Sequence, residues 1–497
     1  MSAGGAQPET CDVLVIGAGP VGAALSLMLG RLGLTVICLD KEAGIYPLPR
    51  AAHLDHEAIR ILQSLGLADE VMKTARTSPR YDFVNGRGEV LLRFENGARI
   101  GPGGWPNSNM IHQPSLERAL REAIARQPEV KLLTQWEFIS LRQDHAGVSI
   151  GAVGPNGSAE FRGTYLVGAD GARSPVREAS EIELEDLRFD EPWLVIDTLV
   201  QDPDRLPDHN LQLCDPARPT TCVLMGAGRH RWEFMLRPDE RPEDMLKDDV
   251  IAELLKPWKV EGAASLERKA VYRFNARIAA RWRNGRVLLV GDAAHQMPPF
   301  AGQGLCSGLR DASNLCWKIA RAVGTGNDAI LDSYQLEREP SVRALIAMSM
   351  MMGKTVCQTD ESLAAERDQR MLAARASGER PAETRPPPPL KSALVLEGPG
   401  AGSYFPQAIA PGEPGRRLDD VLGPGAWLLV GSGSCPARGE AGLRTIRLDD
   451  LLLDGFRDEI AGWLEERRSE AVLVRPDRFV LGVGDPDRLL DAWSRLV

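Results

Sequence analysis

Three short stretches hold residues whose types and spacing suit one kind of chemistry. The first is Gly17-Ala18-Gly19-Pro20-Val21-Gly22. In such a turn between a strand and a helix, the first glycine permits the tight bend and the second lets the backbone approach a pyrophosphate. The third lets helix and strand pack closely. The helix N-terminus then faces the phosphate charge. Residues 11–16 read as a buried parallel strand, 21–32 have helical spacing, and 35–39 read as a second buried strand. That is a βαβ unit. Asp40 ends the second strand, where an acid can bond the ribose hydroxyls of a dinucleotide. The bland alternative is an ordinary turn with Asp40 on the surface. Strand, glycines, helix and acid together favour the dinucleotide.

The second stretch is Gly168-Ala169-Asp170-Gly171-Ala172-Arg173-Ser174-Pro175-Val176-Arg177. The third is Gly291-Asp292-Ala293-Ala294-His295-Gln296-Met297-Pro298, followed by Gly302-Gln303-Gly304. Each follows an apolar run, 165–169 and 286–290. Alone, an Asp-Gly turn carries no function. Three glycine-rich turns, each after a buried strand, are a pattern.

The elements that must position these turns can be read coarsely. Helical spacing is expected over 57–65, over 115–126 with Ser115 as N-cap, over 312–323, and over 331–350 with Pro340 marking a break or kink. Short strands are expected at 130–133, 138–141, 147–151 and 159–162. Those at 193–200, 221–225, 231–236 and 269–274 are separated by Pro, Asp and Gly and suggest a mixed sheet. Residues 381–389 form a Pro-rich linker. Beyond 405, strands at 427–430, 471–474 and 479–483 and helices at 456–466 and the C-terminus suggest a small separate α/β unit.

Composition sets bounds. A chain of 497 residues is ample for several domains, and a net charge of -10 argues against nucleic acid as a partner. None of the eight cysteines stands in C-x-x-C spacing, so no zinc or dithiol motif is visible, and reduced core thiols of a cytoplasmic protein are expected. Residues 13–30 carry no charge, which raises the question of a membrane span. The glycines within that run favour the phosphate-binding turn, and no Lys or Arg precedes it as a signal peptide would require. Neither a metal nor a membrane is expected.

In this order the three turns resemble the fingerprints of the flavoprotein aromatic hydroxylases, the group typified by para-hydroxybenzoate hydroxylase. The resemblance spans the chain and is nearest to the bacterial 3-(3-hydroxyphenyl)propionate hydroxylases, with similar stretches at 54–67, 214–219, 231–238 and 286–314. It implies an α/β fold: a Rossmann-like FAD-binding domain from residues 1–180 and 281–380, and a mixed-sheet substrate domain at 181–280. A linker at 381–404 and a thioredoxin-like domain at 405–497 complete the chain. That last domain lacks the dithiol, so a structural or homodimer-forming role is expected.

The resemblance also assigns residues. Gly17, Gly19, Pro20, Gly22 and Asp40, with its neighbour Lys41, would hold the ADP half of FAD. Asp170 and Gly171, with Arg173, Ser174 and Arg177, would lie near FAD and serve nicotinamide binding. Asp292 would bond the ribityl chain, and Pro298 would lie beside the flavin ring. Gly302, Gly304 and Leu305 would face the flavin N1 and O2 edge, where N–H donors stabilise negative charge. Arg50 matches an arginine that contacts FAD, or forms a surface salt bridge. Gln113 matches a glutamine near the flavin, or caps a helix. Asp40 stands where Glu is usual. His53 and His56 depart from the family pattern.

The activity implied is hydroxylation of a phenolic ring with NADH or NADPH and dioxygen. The expected substrate is 3-(3-hydroxyphenyl)propionate or a similar phenylpropanoid, with a larger polycyclic aromatic polyketide as the alternative. Substrate contacts are expected among Gln212, Met225, Phe234, Tyr272, Met297 and Phe300, against the bland reading of each apolar side chain as core. Tyr272, Pro298 and His295 are the catalytic candidates. His295 is a phenol base or else a residue packed beneath the flavin loop. Arg218, Arg231 and Arg237 are candidate partners of a substrate carboxylate. A flavin halogenase would carry a Trp-x-Trp-x-Ile-Pro signature, absent here. A flavin reductase of isoprenoid double bonds would lack the C-terminal part. A non-catalytic flavin-binding regulator would show no ligand-stimulated nicotinamide oxidation.

Overall fold

The computed structural model describes residues 8–45, 51–379, 388–412, 416–432, 439–440 and 442–496. Arg50 and most of the Pro-rich stretch lie outside them.

Strands Val287–Leu289, Gly157–Gly168, Glu9–Ile16, Val36–Asp40 and Val130–Thr134 run parallel side by side in one sheet. Their central stretches, at 13–16, 36–39, 165–167 and 287–289, are apolar and buried, as strands covered on both faces require. The register fixes where the strands stop. Ile16 sits opposite Gly168, and Gly168 opposite Leu289. The three strands therefore end level, and the three glycine-rich turns emerge beside one another. Helices Pro20–Arg31, Gln113–Ile124 and Gly304–Thr325 pack together against this sheet.

Among the described residues, a second, mostly antiparallel sheet has eight strands. Its long centre is the pair Leu184–Val200 and Ala264–Ala279, flanked by Arg229–Met235, Thr220–Met225 and Asn210–Cys214. Tyr81–Asn85 and Val90–Phe94 complete its far edge. The sheet thus draws on chain outside 181–280. One face carries Leu194, Ile196, Cys222, Trp232 and Phe234 and closes on its own small core. Trp193, on the opposite face, belongs to the main core beside the first sheet.

The third sheet, beyond residue 405, has the order Leu443–Arg447, Ala426–Val430, Ala471–Val474, Val480–Gly484. The first pair is parallel and the rest antiparallel. This is the strand order of a thioredoxin-like core. It is bound to the body by buried ion pairs, among them Arg60 to Asp419 at 2.6 Å and Arg475 to Glu337 at 2.7 Å.

Several local expectations change. The helix expected to start after Ser115 begins at Gln113, with His112 as N-cap and Pro114 in the first turn. Proline suits that turn because its missing N–H would have no partner there. Of the break or kink expected at Pro340, the break is excluded, because helix Ser333–Val356 runs through it. Pro340 is exposed, and so is Leu336, whose carbonyl loses its donor and can turn to water. Strands expected at 159–162 and 165–169 are one strand. The run at 13–30 is a strand, a turn and a helix of the first sheet. Among the described residues, no helix is long and apolar enough to cross a membrane, and no cluster of His, Cys, Asp or Glu could hold a metal ion.

Candidate active site

The first turn is shaped by its glycines. Gly17 has φ +100°, and a Cβ there would lie 2.5 Å from the Ala169 carbonyl oxygen. A Cβ on Gly22 would lie 1.9 Å from the Gly17 oxygen, whereas one on Gly19 would meet no atom within 4 Å. Gly19 is the N-cap of Pro20–Arg31 and offers no capping side chain, so the first N–H groups of that helix point outward unpaired by a cap. Asp40 is buried and accepts hydrogen bonds from the N–H groups of Ala18 at 2.7 Å and Glu42 at 2.9 Å. Lys41 beside it is exposed.

Arg121 was not legible as a site residue. It lies two helical turns beyond Gln113 on the same helix, and that spacing was the available signal. Its guanidinium stands 3.5 Å from Asp40 and donates to the Ala18 carbonyl at 3.3 Å. Its Nε is buried with no partner among the described residues. Gln113 accepts from the Ala51 N–H at 2.8 Å and donates to Glu117 at 2.7 Å. It thereby fixes the chain just after Arg50.

The second and third turns are stitched together. Arg177 donates to the carbonyls of Ala172 and Ala293, both at 3.2 Å, and Gln296 donates to Ala172 at 2.9 Å. Asp170 accepts from the Val176 N–H at 3.0 Å through Oδ2, while its Oδ1 is buried and unpartnered among the described residues. Burial raises its pKa. Gly171 has φ +81°. Asp292 sits in a tight turn, Gly291–Ala293. Pro298 is buried, Gly302 has φ +63°, and Gly304 and Leu305 open helix Gly304–Thr325, which no side chain caps. Thus two uncapped helix starts, a guanidine N–H unpaired among the described residues and the aspartates Asp40, Asp170 and Asp292 gather at the ends of neighbouring strands. The set suits a long ligand with a diphosphate, ribose and polyol, and FAD fits it.

His295 is corrected. Its side chain is fully enclosed, bonded through Nε2 to Asp311 at 2.6 Å and tilted against Trp282 at 5.2 Å. Asp311 also takes Arg338 Nε at 2.9 Å and the Gly291 N–H at 3.2 Å. Burial would raise the Asp311 pKa, but His295 and then Arg338 outweigh it and hold it low. His295 braces the loop from beneath, and the structure does not offer it to a substrate. His53 instead touches the loop from above, with Nδ1 3.1 Å from the Gly302 oxygen.

Strand alternation decides which substrate candidates meet. Trp193, Asp197, Arg231, Glu233, Thr221, Gln212, Tyr272 and Arg268 share one face through their pairing across the sheet. That face looks at the flavin loop: Phe300 packs on Trp193 at 5.6 Å and on Phe274 at 6.1 Å. Tyr81 donates to the Phe300 carbonyl at 3.1 Å and accepts from Gln212 at 2.5 Å, and Gln212 accepts from Thr221 at 2.7 Å. Met225 lies on this face, and Met297 is half-buried beside Gly304. Phe234 does not join them. It points to the opposite face, into the core of Leu194 and Trp232, because it is one residue out of phase with Glu233. Tyr272 accepts from Arg268 at 3.1 Å. Arg218 and Arg237 both pair with Glu240, while Arg231 is buried on the site face.

In the most polar part of this face the sequence reading named Arg231 and missed Asp197, Glu233 and Arg268. Arg231 Nε is 2.7 Å from Asp197. Arg268 Nε is 2.8 Å from the same carboxylate but out of line for a hydrogen bond, and its Nη2 is buried without a partner among the described residues. Glu233 is 6% exposed and makes no side-chain hydrogen bond among the described residues; Arg231 Nη1 stands 3.8 Å away. Burial above all, with Asp197 adding to it and Arg231 and Arg268 opposing, holds the Glu233 pKa up at about 7. The sequence signal was a strand, Arg231-Trp232-Glu233-Phe234, alternating charge with aromatic.

Known proteins share this fold and place the chain in a family. A family described as FAD binding domain matches residues 10–349. A probable NADH-specific resorcinol 4-hydroxylase of Rhodococcus jostii is 37% identical, over 96% of this chain and 93% of its own. A 3-(3-hydroxy-phenyl)propionate/3-hydroxycinnamic acid hydroxylase of Burkholderia vietnamiensis is 32% identical, over 95% of this chain and 94% of its own. The fold matches the crystal structure of the flavin-dependent monooxygenase PieE in complex with FAD and substrate, with a TM-score of 0.84 and 24% identity over 98% of this chain and 99% of that one. The chain therefore belongs to the FAD binding domain family, as an FAD- and nicotinamide-dependent aromatic hydroxylase.

Proposed function

We propose that the ring hydroxylated is that of a small phenol carrying an anionic side chain in the meta position, 3-(3-hydroxyphenyl)propionate or a close phenylpropanoid, with NADH as the electron donor. One observation carries this reading. Among the described residues, the face turned to the flavin loop holds two groups without a hydrogen-bond partner, the buried Glu233 carboxyl, with Arg231 Nη1 3.8 Å away, and a buried guanidinium N–H of Arg268. Leaving a buried charged donor unpaired is costly. A ligand with one hydroxyl and one carboxylate answers both. The relatives named for NADH, resorcinol and hydroxyphenylpropionate support the same class of ring.

In this reading the 17–22 backbone and Arg121 hold the FAD diphosphate, Asp40 its ribose and Asp292 its ribityl chain. The amides of Gly304 and Leu305 would hold the flavin ring, and FAD, when bound, would supply hydride acceptance from the nicotinamide and dioxygen activation. The protein orients the ring through Tyr272, Met297 and Phe300 and keeps water out. The free thiols among the described residues suit a reducing cytoplasm.

The test measures NADH oxidation by the flavin-loaded enzyme with 3-(3-hydroxyphenyl)propionate, resorcinol and a polycyclic phenol, quantifying product. Strong stimulation with one product per NADH by the phenylpropionate supports the reading. Better coupling with resorcinol, and no gain from the carboxylate, would overturn the anionic side chain. Productive coupling only with the polycyclic ring would overturn the small phenol.

A further inference from the structure

We infer that Glu233 is the proton acceptor for the ring hydroxyl, placed on the sheet face opposite the flavin loop to turn the phenol into the more nucleophilic phenolate as the ring is hydroxylated. The inference deepens the proposed function and rests on its phenolic substrate.

The geometry isolates this carboxyl as the group on that face prepared to accept a proton. Asp197 is committed to Arg231 and Arg268. Tyr81 already gives its hydroxyl hydrogen to the Phe300 carbonyl, and burial raises its pKa. Tyr272 accepts from Arg268. The Gln212 carbonyl is taken by Thr221. His295 is shut beneath the loop. Glu233 alone of these keeps both carboxylate oxygens free of protein hydrogen bonds among the described residues, although it is buried. It stands directly across the strand pair from Thr221, and so next to the Thr221-Gln212-Tyr81 chain that ends on Phe300 of the flavin loop. A hydroxyl lying between loop and sheet would meet it.

The proton balance is simple. The phenol O–H bond breaks, its electron pair stays on the ring oxygen, and an O–H bond forms on the Glu233 carboxylate. When the ring regains aromaticity, the proton on the newly hydroxylated carbon leaves to the medium, and the Glu233 O–H bond breaks to return its proton to the ring oxygen before product leaves. No redox partner beyond the established reaction is required. The charged groups around Glu233 are Arg231 on its own strand, Asp197 on one neighbour, Arg268 beyond it with Tyr272, and Tyr81 from the sheet edge. Burial leads among the influences that hold its pKa near 7, so the group is poised to take and return a proton near neutral pH. Because the base must be ionised, turnover falls as pH drops through that value.

The test compares flavin-loaded wild type, Glu233→Gln and Glu233→Asp with whichever phenol couples best. Wild type should show an acid limb in kcat near pH 7. Glu233→Gln should lose roughly 100-fold in kcat, in the range set by one general base, and lose that limb. Glu233→Asp should restore part of the rate, with the limb moved. Unchanged kcat with the same limb in Glu233→Gln would overturn the inference, as would a rise in KM alone. If the Gln variant fails to hold FAD, Glu233→Asp decides: activity with no acid limb overturns the role. A wild type that no phenol stimulates would instead fail the proposed function itself.

Discussion

His53 places its Nδ1 3.1 Å from the carbonyl oxygen of Gly302, 249 residues further along the chain. A carbonyl only accepts, so Nδ1 carries the proton and Nε2 the lone pair. Burial, with Arg310 adding to it and Asp55 opposing, holds the ring below the usual histidine range, so it stays neutral at physiological pH. Gly302 needs φ +63°, and its Cα hydrogens face the His53 ring, where a Cβ would come within 3.1 Å. His53 therefore sets the height of the flavin loop. His53→Ala should remove one neutral hydrogen bond, worth about 1 kcal/mol, and weaken FAD binding roughly fivefold. Titrating apoprotein with FAD by fluorescence quenching reads this directly, and an unchanged dissociation constant would show that the bond does not hold the loop.

The glycines of the first turn separate folding from cofactor binding. Gly22→Ala drives a Cβ to 1.9 Å from the Gly17 oxygen, backbone against backbone, with nothing able to yield. It should fail to give folded protein. Gly19→Ala meets no protein atom within 4 Å, at a φ of -65° that alanine adopts freely. The apoprotein should melt within about 1 kcal/mol of wild type, yet bind FAD at least about tenfold more weakly, because the backbone could no longer approach the diphosphate. Thermal melts of both apoproteins, with FAD titrations, check the pair. A Gly19→Ala variant of normal FAD affinity would contradict the placement of the diphosphate.

What could be read in the sequence was local. Gly17, Gly19, Gly22 and Asp40 lie within one βαβ unit, so their spacing alone implies their geometry. Glu233 and Phe234 show the limit. Both are buried, at 6% and 2% exposure, because both faces of the middle sheet are covered. Alternation then says which residues share a face, but not which face meets the flavin loop. His53 and Arg121 join the site through contacts across 249 and 103 residues, which no local pattern encodes. Pro340 does not end its helix, because the carbonyl it leaves without a donor, that of exposed Leu336, can turn to solvent. Strand Tyr81–Asn85 went unread because its partner, Asn210–Cys214, lies in a distant part of the chain.

His295 should behave as a brace. Its bond to Asp311, which also receives Arg338 and the Gly291 N–H, ties the third turn to helix Gly304–Thr325. His295→Gln should lower stability by roughly 2 kcal/mol, since a buried carboxylate loses a charge-assisted bond. With FAD in excess, kcat should stay within a few-fold of wild type and its pH profile should keep its shape. Urea melts beside steady-state rates test this. A 100-fold loss of kcat at full flavin occupancy and normal stability would return His295 to the chemistry.

Glu337 predicts how the C-terminal sheet is held. It is buried and accepts from Arg475 at 2.7 and 2.8 Å, Lys318 at 2.8 Å, Asn314 at 2.8 Å and Ser392 at 2.6 Å. Burial would raise its pKa, but Arg475 and then Lys318 outweigh that and hold it far below the ordinary value of 4.5. A carboxylate depressed in the folded state adds stability that is complete above its unfolded pKa and is lost as pH falls below it. Burial also pushes the Lys318 pKa down to about 8, against the pull of Glu337, so the ammonium depends on this partner. Glu337→Gln should therefore cost about 3–5 kcal/mol at pH 7, the penalty of leaving buried cations uncompensated. The gap to wild type should narrow progressively below about pH 4.5, as the unfolded wild-type chain takes up a proton that the folded one refuses. Urea midpoints of both proteins at pH 7, 5.5, 4 and 3 measure the gap. A difference that stays constant across that range would mean that packing, and not the charge on Glu337, joins the small sheet to the flavin-binding body.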